Sequence, residues 1–394
     1  MIETYPTIIG NLEIPSINII KAEVYVFRAP IDIPVKTSFG TMRDRPAVLL
    51  RLEDTDGNFG WGEVWCNFPS CGAEHRGRLL IDVLVPLLSA LPPMSPMEAF
   101  HALNENVRIL KIQTGETGPL DQTIAAVDIA LWDLASRKLK RPLYSVFNRN
   151  YVKGVKAYAS GIHPDAALKL ISKCRSKGYS DYKIKVGFEH GRDVQTVRHI
   201  ADILTHDEIL MLDANQGWSL EQAKNFSSEV SSMPIKWIEE PLPADRPLTE
   251  WTELSNASTI AIAAGENIQG AQSFLDVISS KFLKYIQPDA CKWGGVTGCY
   301  YIALRALELG KIYCPHYLGG GIGLLASAHI LAASGGEGML EIDVNPNPLR
   351  EILAMPHPEI QQGTFLIPQK DGLGVEPDLK LAQKFLIESH IFEA

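Results

Sequence analysis

Residues 209–215 (ILMLDAN), 235–241 (IKWIEEP) and 260–267 (IAIAAGEN) each run a short apolar stretch into an acid, namely Asp213, Glu239 and Glu266. The acids recur at intervals of about 25 residues, the length of one strand plus one helix. A carboxylate closing each of three successive parallel strands meets its neighbours at the C-terminal face of a β/α barrel, where such barrels carry their chemistry. Three carboxylates aimed at one spot repel each other and raise one another's pKa unless a cation joins them. Oxygen donors alone suit a hard divalent ion, Mg²⁺ first and Mn²⁺ as its substitute.

The rhythm continues in both directions. Upstream, YKIKVG (182–187) sets Lys183 and Lys185 two apart on a strand, so both point to one face and can look into the barrel mouth. Downstream, FLKYIQPDA (282–290) carries Asp289, KIYCPHYLGG (311–320) carries His316, and GMLEIDV (338–344) carries Glu341 with Asp343 on the same face. Every strand from the second to the eighth thus delivers an ionisable residue near its C-terminal end. Glu240 is an alternative to Glu239, although neighbouring strand residues face opposite ways. Either Glu341 or Asp343 is able to reach a substrate.

The set KIK, LDAN, IEEP, AGEN, PDACKWGGVTG, PH and LEID resembles the enolase superfamily, and within it the mandelate racemase subgroup, from about residue 20 to about residue 380. The resemblance implies an α/β protein with a TIM-like (β/α)7β barrel and an N-terminal α+β capping domain. It implies that Asp213, Glu239 and Glu266 bind Mg²⁺, that Lys185 is one acid/base, and that His316 paired with Asp289 is the other. Lys183 and Glu341 would handle a substrate carboxylate. The muconate-lactonising branch keeps a lysine on the sixth strand; here Asp289 holds that position and Lys292 falls three residues later.

Composition agrees with two packed units. A chain of 394 residues with 46% hydrophobic content can bury two cores, one of them a barrel needing about 200–250 residues. Residues 18–64 read as a strand meander with a tight turn at Asp56-Gly57, and the residues that follow, to about 148, read as helical, including 123–140. From about 154 strands alternate with helices, which implies a parallel sheet. The expected division is a capping domain over 1–150, a barrel over 151–361, and a closing segment, 362–394, that returns to the cap. A net charge of −9 disfavours nucleic acid or an anionic membrane as partner. The apolar stretch 79–94 is too short to span a bilayer and is interrupted by Asp82 and Pro86. Residues 1–15 lack a basic segment followed by an apolar core, and the six cysteines form no CxxC pair. These features are those expected of a cytoplasmic protein with reduced thiols, a homo-oligomer whose partner is a small-molecule carboxylate substrate.

Proton removal next to a carboxylate creates an enediolate, which an ordinary base at neutral pH cannot reach unaided; a Lewis-acidic metal contributes several kcal/mol. Lys185 needs a lowered pKa to act as base, and Lys183 beside it pushes in that direction. With Lys185 on the second strand and His316, oriented by Asp289, on the seventh, the two groups approach a substrate carbon from opposite sides. Such a pair either inverts a stereocentre or couples proton removal to loss of a β-hydroxyl.

Beyond Lys183, Asn215 and Glu341, the expected substrate contacts are Lys36 and Arg45 from the cap loop KTSFGTMRDR (36–45). The second cap loop, VWCNFPSCGAEH (64–75), adds Asn67 and His75. With Thr37 and Arg43 these polar residues tilt the reading toward dehydration of an acid sugar, an aldonate or aldarate, to a 2-keto-3-deoxy acid. Phe39, Trp65 and Phe68 could instead wall an apolar pocket, which suits a 2-hydroxy-acid racemase. A reading of another class is a barrel that has lost catalysis and only binds. The glycine run 319–323 presents amides to a distal anion, or merely lets the loop turn.

Overall fold

The computed structural model describes residues 13–38, 40–148 and 150–393. Residues 1–12, which hold most of the segment read for a leader, lie outside them.

The first unit is an antiparallel sheet backed by helices. β1 (Ile19–Lys36), β2 (Thr41–Asp54) and β3 (Phe59–Val64) form the expected meander. Asp54 makes the second hairpin by accepting from the backbone N–H groups of Asp56 and Asn58. The helix Thr117–Lys138 starts six residues earlier than the pattern 123–140 suggests and is buried along most of its length. It lies directly on β3 because Gly60 and Gly62 carry no side chain: an added Cβ would fall 2.1 Å from the Ala130 carbonyl and 1.9 Å from that of Ala126. Its other side meets the barrel, where Asp128 accepts from the N–H and hydroxyl of Thr297 and the Trp132 indole donates to the same hydroxyl.

The second unit is a parallel barrel. Its strands are β4 (Gly154–Ile162), β5 (Asp181–Lys185), β6 (Ile209–Asp213), β7 (Ile235–Glu239), β8 (Ile262–Ala264), β9 (Tyr285–Ile286), β10 (Ile312–Tyr313) and β11 (Leu340–Asp343). Each pairs with the next from β4 to β10, and β11 returns to pair with β4. Among the described residues seven longer helices alternate with these eight strands, a (β/α)7β barrel under an N-terminal cap. After β11, a short hairpin of β12 (Ile360–Gln361) and β13 (Thr364–Leu366) adds antiparallel to the start of β4. The closing segment therefore first extends the barrel sheet. It then meets the cap twice: the Leu373 N–H donates to Asp133 and Glu376 pairs with Arg137, and β14 (Leu386–Glu393) pairs with β1.

Five of the six cysteines are buried, Cys71 is exposed, and all are free. Among the described residues no helix is long and apolar enough to cross a membrane.

One buried histidine ties the two ends of the chain's path together. His329 accepts from the Tyr144 N–H through Nδ1 and donates to the Leu373 carbonyl through Nε2. Burial pushes its pKa down to about 4 from 6.5. The neutral ring is the folded form, so its stabilisation is complete above about pH 6.5 and is lost as pH falls toward 4. At about 1.4 kcal/mol per pH unit the loss is roughly 3 kcal/mol. The stability difference between wild type and His329→Gln in urea unfolding is expected to shrink by that amount between pH 7 and pH 4. A difference that does not change with pH would contradict it.

Candidate active site

Alternation along the strands builds the barrel interior in layers. Tyr158, Met211, Trp237, Tyr285, Cys314 and Met339 fill the lower interior as one apolar plug. Two residues further along the same strands, the inward positions become Asp213, Glu239, Gln287 and Glu341. The chain thus stacks an ionic layer on an apolar one, and the plug keeps water out from below.

Ion pairs organise that layer. Lys183 is wholly buried, with Nζ near Glu239 and Glu341 at 2.5 and 2.6 Å and Asp213 at 3.8 Å. Lys185 bonds Asp213 and the Asn215 side-chain oxygen, both at 2.6 Å. Glu239 also accepts from Gln287 at 2.6 Å. Glu341 accepts from the Ser160 hydroxyl and from the Tyr317 N–H. On the far side, His316 sits with Nδ1 2.7 Å from Asp289 and Nε2 3.0 Å from Glu266. Asp289 is itself fixed by the N–H groups of Cys291 and Lys292.

Burial disfavours every charge here, so the directions of titration show which neighbours win. Burial lowers the His316 pKa, but Glu266, Glu341 and Asp289 outweigh it and hold the ring well above 6.5, as imidazolium. Burial, then Asp213 and Glu341, push the Glu239 carboxyl up to about 7 against the pull of Lys183. Lys185 departs from expectation. Burial and Lys183 do act to lower it, yet the Asp213 carboxylate, with Glu266, outweighs them together, and its pKa is raised.

Above the ionic layer lies a cavity of about 170 Å³ lined by Lys185, Asn215, Glu266 and His316, among others. Lys183 and Glu341 do not line it; they lie beneath it, paired with each other. The cap closes it with Thr37, Met42, Trp65, Asn67 and Phe68, and Leu318 completes the wall. Ser38 anchors the first cap loop by donating to the Asn215 carbonyl at 3.1 Å. Phe39 lies outside the described residues.

Two expected substrate contacts are corrected. Arg45 has no exposed surface: it points inward from β2 and pairs with Asp343 at 2.7 Å, so it is spent on joining cap to barrel. Asp343 is occupied by that pair and by Asn345, which leaves Glu341 nearer the centre. Lys36 is exposed at the end of β1, outside the cavity lining. His75 pairs with Glu116 instead, and Arg43 is exposed. The polar cap wall therefore reduces to Thr37 and Asn67.

Other residues hold positions that spacing along the chain does not give. Lys292 enters the cavity, bonding the Asn267 side chain at 2.7 Å and Glu266 at 3.2 Å, with its ammonium 4.7 Å from the Trp65 ring centre. Glu240 turns away from Lys183 to accept from Asn267. Asn215, Gln216 and Glu240 all take positive φ, at 43°, 64° and 41°, so the backbone is held in an unfavourable region where β6 and β7 meet the cavity. The anion at the glycine run is internal: Glu63 of the cap accepts from the N–H groups of Gly320 and Gly323.

The charge balance bears on a metal. Six carboxylates (Asp213, Glu239, Glu240, Glu266, Asp289 and Glu341) face three lysines (Lys183, Lys185 and Lys292) and the His316 imidazolium. Fully ionised, the cluster carries two uncompensated negative charges, which matches a divalent cation in sign and size, and the donors are the oxygens that Mg²⁺ prefers. Among the described residues no three acid or imidazole groups stand within coordinating reach of one point, because Lys183 and Lys185 lie between them.

Residues 21–147 match the model of the mandelate racemase/muconate lactonizing enzyme N-terminal domain, and residues 166–381 match that of the enolase C-terminal domain-like family. The chain belongs to the mandelate racemase/muconate lactonizing enzyme family. A crystal structure of a mandelate racemase/muconate lactonizing enzyme from Bordetella bronchiseptica RB50 is 44% identical, with a TM-score of 0.88, covering 94% of this chain and 99% of that one. An arabinonate dehydratase from Saccharolobus solfataricus is 26% identical over 83% of this chain and 87% of its own length. A racemase from Streptomyces coelicolor A3(2), solved with bound magnesium, shares the fold at 22% identity and a TM-score of 0.84, covering 94% and 100% of the two chains. Members of the enolase superfamily bind Mg²⁺, and their reactions include acid-sugar dehydration and racemisation, so this family member is an enzyme of that kind.

Proposed function

We propose that this enzyme removes the proton next to a small substrate's carboxylate and that its main reaction is dehydration of an acid sugar to a 2-keto-3-deoxy acid. The observation that carries this is the placement of Lys185 at the end of β5 and His316 in the loop after β10, both lining one cavity, with Asp289 fixing the imidazole. Asp213, Glu239 and Glu266 would hold Mg²⁺, which would polarise the substrate carboxylate, while Lys183 is the charge that acts to lower the Lys185 pKa.

Lys185 then takes the α-proton as a neutral amine, and the electron pair moves into the enediolate. His316 gives its Nε2 proton to the β-hydroxyl, which leaves as water, and the resulting enol ketonises. Asp289 keeps the ring turned with Nε2 toward the cavity. Lys183 and Glu341, under the floor, hold the charge of the layer in place. Asn215, Asn67 and Lys292 supply polar contacts for hydroxyls or a second anion.

The apolar side of the wall, with Met42, Trp65, Phe68 and Leu318, favours a second reading. A ring-bearing 2-hydroxy acid would rest there, and the same two groups would invert its α-carbon. A panel of aldonic and aldaric acids of about four to six carbons, assayed with Mg²⁺ by a keto-acid reagent, separates the two. Keto-acid formation from one of the panel is the expected result. No reaction there, together with loss of optical rotation from mandelate or another 2-hydroxy acid, would replace dehydration by racemisation.

A further inference from the structure

The cap does more than close the cavity. From the end of β3 the chain continues through Trp65 and Asn67, and alternate residues of this stretch each grip a barrel loop. Glu63 accepts from Gly320 N–H at 2.5 Å and from Gly323 N–H at 2.9 Å. Trp65 donates its own N–H to the Cys291 carbonyl at 3.3 Å. Asn67 donates its side-chain amide to the Leu318 carbonyl.

These grips fall on the two loops that carry the imidazole–carboxylate dyad. The Cys291 N–H donates to Asp289, and Leu318 and Gly320 follow His316 by two and four residues. Glu63 is 2% exposed and has no ion-pair partner among the described residues; burial pushes its pKa up, while the amides at the start of the helix Gly321–Ser334 and the Tyr317 side chain act in the other direction. The amides can come that close only as glycines. An added Cβ on Gly320 would fall 2.4 Å from the Glu63 carboxylate, and one on Gly323 would fall 2.4 Å from the Cys291 sulfur. A buried, unpaired carboxylate is an expensive way to join two domains, whereas it defines the position of a loop closely.

We propose that Glu63 is a positioning residue for His316, clamping the loop after β10 together with Asn67 while Trp65 clamps the loop that carries Asp289, so that the cap sets where the imidazole stands relative to Lys185. The proposal rests on the reading of His316 as a proton-transfer group, and its test does not require a known substrate. Full-length protein labelled with ¹⁵N-histidine and kept in MgCl₂ gives ring spectra in which His316→Asn identifies the His316 signal. In Glu63→Gln the His316 ring resonances are expected to shift and broaden while those of the other nine histidines stay in place. A folded Glu63→Gln protein with an unchanged His316 ring would overturn the clamp. Should that variant not fold, Asn67→Ala is read by the same spectra and the same criteria.

Once a substrate is in hand, Glu63→Gln should lower turnover roughly 100-fold, the scale of an ångström-sized misplacement, and spare α-proton exchange on the Lys185 side. Equal loss of both would make Glu63 merely structural. If the wild type turns over no acid at all, the assigned reaction fails and the ring spectra still decide the clamp.

Discussion

Asp213→Asn and Glu239→Gln are each expected to remove activity and the bound divalent cation together. Each change deletes one anionic oxygen ligand from the carboxylates that would attract a dication. Asp213→Asn also strips Lys185 of the carboxylate 2.6 Å away, and Glu239→Gln strips Lys183 of one of its two close carboxylates, leaving Glu341 as its partner. A metal at such a site is worth several kcal/mol to the transition state, so turnover should fall at least ~1000-fold. Metal content of the purified proteins and rates with and without EDTA are the measurements. Full turnover in excess EDTA by wild type or by either variant would sink the metal assignment.

Lys185→Met and His316→Asn should each stop net turnover, by roughly 100- to 10,000-fold, the usual contribution of one general acid or base. Methionine replaces the amine with an apolar chain of similar length, and asparagine keeps a polar group beside Asp289. The informative readout is exchange of the substrate α-proton with deuterated water. With two groups on opposite sides of the cavity, one variant is expected to retain exchange and the other to lose it, because only the group facing that proton can wash it out. Near wild-type rates in both variants on an authentic substrate would mean that neither group moves the proton.

Much of the barrel is legible in the chain because its strands are short apolar runs ending in ions, and period-two alternation decides which residues share the interior. Lys183 and Lys185 enter the same interior from β5 for that reason alone, as do Met211 and Asp213 from β6. What alternation does not give is depth. Lys183 and Lys185 share a face, yet one lies under the cavity and the other in its wall. The reversed titration of Lys185 has a similar origin: a neighbouring strand brings Asp213 within hydrogen-bonding distance, and spacing along one strand says nothing of that distance.

The rim is less legible because it is made by turns and by contacts between distant segments. Gln216 N–H donates to the Glu240 carbonyl across two strands with both residues at positive φ, a conformation their side chains do not announce. Lys292 lies three residues past Asp289, but a tight turn brings it back over Trp65 into the cavity. Arg45 looks like a substrate contact in a polar loop, yet it belongs to β2 and is buried against Asp343, a partner almost three hundred residues away. Glu63 is similarly hidden, since its partners are the amides of glycines that look like a simple flexible loop.

The pairing of β14 with β1 also has a meaning for how the protein is made. Lys21 leaves the ribosome well before its strand partner Glu393, because the whole barrel lies between them in the chain. At about 5–20 residues per second, the outer edge of β1 stays open for tens of seconds while the whole barrel is synthesised. An open edge of this kind is a template for another chain's strand. β1 meets that interval with Lys21, Glu23 and Arg28 spaced along it and with Pro30 and Pro34 near its far end, residues that discourage a foreign strand from pairing before the chain's own arrives.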